Sequence, residues 1–270
     1  MNPSTSRGLR WFFGVSAVLA VIAGIELFIG AARTDRFFSW TIAPPLTAAF
    51  MGAAYWAACV LLAWAARQSD WSRARTVLPP VFTIAVLLLA ATLIHLDRFH
   101  HDLYGRFWLV VYLIVVPLLT YLIWAQPKDG APPTPPSLAL ASWLRVALVG
   151  QALVLLAFGV LLFAAPVGLS SIWPWPLTPL TGRAIAAFLC GFGIAAAVAV
   201  RENDLDRLFG SALAWAALGA LELAAVAIHA GDLTSSAAGT VAYVAFFGSV
   251  LGLGSYGAIA GRDRRRPIED

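Results

Sequence analysis

Residues 45–95 begin PLTAAFMGAAYWAACVLLAWAARQSDWSRAR and end LLAATLIH, and residues 179–229 repeat their pattern without a gap at a constant offset of 134. Pro45-Leu46-Thr47 returns as Pro179-Leu180-Thr181, and Ile94-His95 returns as Ile228-His229. Between them Arg67, Asp70 and Arg73 return as Arg201, Asp204 and Arg207. Matches of Ala and Leu carry little weight in so apolar a chain, but Pro, Thr, Arg, Asp and His in register carry much. A duplicated apolar unit predicts two similar membrane-embedded halves packed about a shared axis.

Hydrophobic residues make up 60 % of the 270 and charged residues 12 %, with a mean hydropathy of +0.81. Soluble domains average about 25 % charged residues, so the composition predicts an integral membrane protein. Eight apolar stretches stand out, at 11–31, 48–66, 77–95, 107–125, 143–165, 184–200, 209–229 and 238–260. Each approaches the ~20 residues a helix needs to cross the hydrocarbon. Strict alternation is absent, which argues against a barrel, and a helix satisfies its own backbone in lipid. The expected fold is therefore all-α, with eight transmembrane helices in two tandem parallel four-helix repeats. The repeats are read as 1–125 and 142–260, joined by a Pro-rich linker at 126–141 and followed by a basic tail at 261–270.

Arg and Lys set the expected orientation. The N-terminus, the loops after the second, fourth and sixth stretches, and the C-terminus hold thirteen of them, including Arg7, Arg10, Lys128, Arg145 and Arg262–Arg266. The opposite side holds five: Arg33, Arg36, Arg98, Arg106 and Arg183. The asymmetry predicts cytoplasmic termini. The first stretch is too long for a signal-peptide core and has an internal repeat partner, so it reads as a retained helix. Seventeen Arg to a single Lys, with abundant Ala, suggests a GC-rich bacterial genome and an inner-membrane location. The basic tail reads as an anchor at anionic lipid, and nucleic acid is not an expected partner.

The linker PKDGAPPTPP (127–136) reads as a short extended segment. Four helices per half is an even number, which predicts equal polarity and a pseudo-twofold axis along the membrane normal. Two segments opposite the linker correspond, FFSWTIAPPLT (37–47) and SSIWPWPLTPLT (170–181). They suggest interfacial turns at proline, with Thr47 and Thr181 as N-caps of the second and sixth helices. Trp40, Trp173 and Trp175 are then assigned to one aromatic belt at the lipid surface, and Trp11, Trp64, Trp71, Trp124 and Trp143 to the other. Asp70 and Asp204 are placed to cap the third and seventh helices, with Arg73 and Arg207 one turn further in. Gly248 and Gly252 form a close-approach face on the last helix, for a partner within the chain, a second copy or another membrane protein.

Ionisable groups within the membrane are costly and mark candidate sites. Glu26 and Glu222 fall in the outer halves of the first and seventh helices, and His95 and His229 end the third and seventh on the same side. Glu222 and His229, seven residues apart, share a helix face. With Thr47, Thr181 and Arg183 they outline an expected ligand or proton pathway in the outer layer. The symmetry is partial, because Glu222 matches Leu88 and Arg183 matches Ala49. Three readings of the histidines remain open: caps at helix ends, a proton relay with the glutamates, and axial ligands of a haem. No metal-ligand spacing, phosphate loop or hydrolase elbow is present, and the loop LDRFHHD (96–102) has no counterpart in the second half. Cys59 and Cys190 lie mid-helix and suggest no disulfide.

Two tandem four-helix units with histidines are similar in layout to haem A synthases, whose Glu-x-x-His-type motifs this chain lacks, so no residues carry over. FFSWTIAPPLTAAFMGAAYW (37–56) and WPWPLTPLTGRAIAAF (173–188) resemble segments of uncharacterised bacterial multi-pass proteins, a resemblance that implies no activity. The expectation is a membrane protein that binds or conducts a small solute or proton. An accessory subunit of a membrane complex comes second, and a haem- or quinone-binding oxidoreductase third.

Overall fold

The computed structural model describes residues 4–126, 136–169, 172–234 and 236–263. Most of the linker, with Lys128, and the tail arginines Arg264–Arg266 lie outside the described residues. Among the described residues eight helices are long and apolar enough to cross a membrane. They are α1 (Arg7–Ile29), α2 (Pro45–Ala66), α3 (Trp71–Ile94), α4 (Leu103–Ala125), α5 (Ser142–Ala164), α6 (Pro179–Glu202), α7 (Phe209–Ile228) and α8 (Ala238–Arg262). Among the described residues no strand accompanies them. The protein is an all-α, multi-pass membrane protein.

Local chemistry explains where the helices begin. Ser6 accepts from the Leu9 N–H ahead of α1, and Asp102 from the Gly105 N–H ahead of α4. Thr178 and Thr181 form a reciprocal capping box at α6. Here the sequence expectation needs correction. Thr181 is the third residue of α6 and Thr178 its cap. At α2 the N-cap is Pro44, which has no side-chain acceptor. The exposed donor is satisfied from the other half of the chain, because Asp232 Oδ2 accepts from the Leu46 N–H at 2.8 Å. Thr47 instead accepts from Trp175 Nε1 at 2.9 Å. Asp70 caps the first turn of α3 by accepting from the Ser72 N–H at 2.8 Å. Asp204 makes the matching bond to the Asp206 N–H at 3.0 Å, in a turn that precedes α7.

α2 and α6 are the most enclosed helices. α2 packs along α1 and α7, and α6 along α3 and α5. α8 lies along α7, and glycine permits the approach: a Cβ on Gly219 would overlap the Leu251 backbone, and one on Gly254 the Ala216 backbone. α4 touches α3 far less and meets α1 mainly near their common end, where Ser6 N–H donates to Gln126. Inside α4, Pro117 lacks the N–H that would otherwise bond the Leu113 carbonyl. Among the described residues a Cβ on Gly248 or Gly252 would meet no neighbouring helix within 4 Å, so α8 makes its close approach to α7 through other glycines.

One end of the bundle holds the arginine loops. Arg73 pairs with Asp206 and Arg75 with Glu202, both at 2.6 Å, joining the loop after α2 to the loop after α6. Arg207 sits between Glu202 and Asp204, at 3.3 Å from each, and all three are buried. Asp204 also accepts from the Ser137 backbone and hydroxyl. At the opposite, histidine end the two proline-turn segments fold back over the helix ends. Trp40, Trp173 and Trp175 are 3 %, 7 % and 0 % exposed, which removes them from the lipid belt assigned from sequence. Their rings pack on Phe38, Trp108 and Phe50 instead. Trp11, Trp124 and Trp143 are exposed to the surroundings, whereas Trp64 of the same assigned belt is buried.

Candidate functional site

The ionisable residues anticipated at the histidine end fall into separate settings. His95, the residue after α3, reaches across to α6, where Arg183 Nη1 lies 2.7 Å from its Nε2. A guanidinium only donates, so Nε2 carries the lone pair and the ring is neutral. Partial burial lowers the His95 pKa, and the Arg183 charge lowers it further, against a smaller opposing effect of Asp97. The contact engages Nε2 of His95 alone. His229 ends α7 with backbone angles close to those of His95, φ −112° against −125°. Its ring makes no hydrogen bond among the described residues, since Ala49 stands where the repeat would place an arginine. Among the described residues no three His, Cys, Asp or Glu side chains gather where they could hold a metal.

The HHD loop is a clasp. His100 Nδ1 donates to the Phe38 carbonyl at 3.0 Å, and its Nε2 shares a hydrogen bond of 3.1 Å with the Thr41 hydroxyl. Asp102 caps α4. Glu222 is fully buried and accepts from the Tyr243 hydroxyl at 3.0 Å through Oε2, while its Oε1 has no partner. Gln151, the polar residue nearer the arginine end, is satisfied by Trp215 Nε1 and Ser249.

Glu26 is different. It sits where α1 widens into a single π turn over Ile25–Ile29, a distortion common at functional positions. The carboxylate is half-buried and makes no hydrogen bond or ion pair among the described residues. It borders a cavity of about 170 Å³ between α1, α2, α3 and α4, which reaches Phe188 of α6. Ser39 and Tyr104 lie with Glu26 near the histidine end; Phe12, Leu62 and Val115 line the deeper, apolar part. Ile22 of α1 and Phe107 of α4 line it and are exposed, so the cavity opens between α1 and α4 rather than being sealed.

Aromatic rings form one continuous wall of this cavity. Trp108 lies 4.8 Å from Tyr112 and 6.3 Å from Tyr55, and Tyr55 lies 5.1 Å from Phe188, centroid to centroid. Their polar atoms are engaged with protein. The Tyr55 and Tyr112 hydroxyls bond each other at 2.7 Å, and Trp108 Nε1 donates to Thr92 at 2.9 Å. These residues were not anticipated from sequence, although two tyrosines in the middle of apolar spans signal a buried partner for each hydroxyl. No family model, curated protein or solved structure matches the chain.

Proposed function

We propose that the protein binds a small amphipathic solute from the bilayer in the cavity among α1–α4, with Glu26 as its polar anchor. The observation that carries this reading is a carboxylate without a protein partner, on a π turn, at the rim of an aromatic-lined cavity that opens sideways. Small-molecule sites combine an apolar pocket with a few placed polar groups, and intramembrane acids mark ligand pathways. The site thus lies in the outer layer, as the sequence suggested, but centres on Glu26 rather than on His95, His229 and Glu222.

In the same proposal the chain is a bacterial inner-membrane protein of two tandem parallel repeats with cytoplasmic termini. The register of residues 45–95 on 179–229, the matched Asp70 and Asp204 turns and the thirteen-to-five arginine and lysine imbalance support it. Small molecules extracted from purified wild-type protein, Glu26→Gln and the cavity-filling Ala85→Trp provide the test by mass spectrometry. A species carried by the wild type and lost from both variants is expected; identical extracts from all three would sink the proposal.

A second reading has its own observation. Gly248 and Gly252 leave an open small-residue face on α8, as a membrane-protein partner or second copy would require. Native mass spectrometry from nanodiscs tests it, and a strictly monomeric particle with no stoichiometric partner would count against it.

A further inference from the structure

We infer that the solute of the α1–α4 cavity is a lipophilic organic monocation, its charge held at Glu26 and its apolar body among Tyr55, Trp108, Tyr112 and Phe188; the inference rests on the cavity reading above. The argument begins with charge. Among the described residues Glu26 is the one charged side chain on the cavity lining, and no Arg, Lys or His shares it. An anionic ligand would meet a carboxylate and no cationic donor. A neutral polar ligand would find the Trp108 Nε1 and Ser39 hydroxyl engaged with protein and the Tyr55 and Tyr112 hydroxyls bonded to each other, with the Ser16 and Tyr104 hydroxyls as the remaining polar contacts and no charge to answer that of Glu26.

What the wall does offer is aromatic surface. The deep rings take the apolar body, while towards the Glu26 rim Phe38 and Tyr104 also line the cavity, and ring faces attract cations through their quadrupoles. A carboxylate beside such rings adds a counter-charge and leaves the cavity one positive charge short of neutrality. The arrangement is also directional. Glu26 lies one residue turn from the end of α1, whereas Tyr55 and Tyr112 lie about 14–15 Å into their helices at 1.5 Å per residue. A ligand with its charge at the histidine end and an apolar tail pointing into the bundle fits that order. The cavity of about 170 Å³ is close to the ~150 Å³ that accommodates a benzene ring, so it takes one ring while the head group rests at the open rim.

A charged probe and its carbon isostere isolate the inference. Benzyltrimethylammonium and neopentylbenzene share shape and differ in the quaternary nitrogen. Equilibrium dialysis of both against full-length protein in nanodiscs, corrected for uptake by empty nanodiscs, should give the cation at least about tenfold tighter binding. Glu26→Gln should weaken the cation by about tenfold and leave the hydrocarbon within about twofold. Should Glu26→Gln fail to fold, the wild-type ratio alone decides. Equal binding of the two probes, or a cation affinity indifferent to Glu26→Gln, would overturn the cation assignment while leaving the cavity as a site for neutral amphiphiles. If neither probe binds above empty nanodiscs, or Ala85→Trp leaves both bound as before, the cavity reading falls and the cation with it.

Discussion

Ala85 of α3 and Gly219 of α7 stand at matching positions of the sequence repeat, and they meet different neighbours. Gly219 is pressed against the Leu251 backbone of α8, whereas Ala85 lines the cavity that separates α3 from α4. The same offset sets Leu88 against Glu222 and Ala49 against Arg183. α7 and α8 are closed by glycine contacts, and the last four spans hold a buried acid bonded to Tyr243. In the first four Gly52 brings α2 against the Phe28 backbone of α1, but α3 and α4 stand apart beside an acid that makes no hydrogen bond among the described residues. The difference teaches that two stretches alike in sequence can pack differently, one closed against its neighbour by glycine and the other left beside a cavity, at a cost in stability.

The loops at the arginine end offer the strongest way to break this comparison. The end of α6 and the turn behind it carry Glu202 and Asp206, where the sequence offset sets Gln68 and Ser72, and those acids bind Arg75 and Arg73. Removing one member of a buried ion cluster leaves its partner uncompensated. Glu202→Ala should therefore cost about 3 kcal/mol or more, measured by thermal or denaturant unfolding in detergent. Gln68→Ala, its counterpart, should stay within about 0.5 kcal/mol. Similar losses at both positions would show that the two loops are equivalent.

Substitution at the matched pair follows in size. Gly219→Leu should cost about 2–3 kcal/mol because the α7–α8 backbones cannot separate without losing their packing. Ala85→Leu should cost less than about 1 kcal/mol, since the cavity receives the added carbons. Unfolding curves that shift equally would contradict an open first half and a closed second one.

Glu222 sharpens the contrast more finely. Tyr243→Phe should destabilise by about 1–3 kcal/mol, because it leaves a buried carboxylate without its donor. Adding Glu222→Leu, the residue of the first half at that position, should restore most of the loss, as apolar replacement of both partners is nearly neutral. A double variant no more stable than Tyr243→Phe would mean that the Glu222 carboxyl itself supports the fold.

The smallest effect concerns the crossing contact between halves. Burial and Arg183 lower the His95 pKa from its ordinary 6.5. Between that value and the lowered folded value, the unfolded chain binds a proton that the folded protein does not. Stability from this contact is thus complete above about pH 6.5 and declines as pH falls through the folded pKa. Arg183→Leu should flatten the decline, read as the pH dependence of the melting temperature. An unchanged pH profile would remove His95 as its source.

Much of this was legible in the chain. All eight spans lie where continuous apolar stretches put them, but α6 begins at Pro179 rather than 184, because Thr181 and Arg183 depress hydropathy in its first turn. The repeat also located two histidines at equivalent helix ends. Hydropathy was blind to which side of a wholly apolar helix faces inward. For that reason Trp40, Trp173 and Trp175 were read as lipid anchors, although the proline turns tuck them inside. The pairing of Tyr55 with Tyr112 and the opening at Glu26 depend on how α4 stands off from α3, and no residue of either helix encodes that alone.

The bond from Leu46 N–H to Asp232 spans 186 residues, and it has a consequence for how the protein is made. Chains emerge from the ribosome N-terminus first, and earlier segments begin folding before later ones exist. When α2 enters the membrane, the acceptor for its leading N–H is still uncoded in the growing peptide. The leading end of α2 therefore stays unsecured until α7 and the turn behind it have been made, and a chain truncated before Asp232 keeps the cavity-lining residues but lacks the contact that fastens α2 in place.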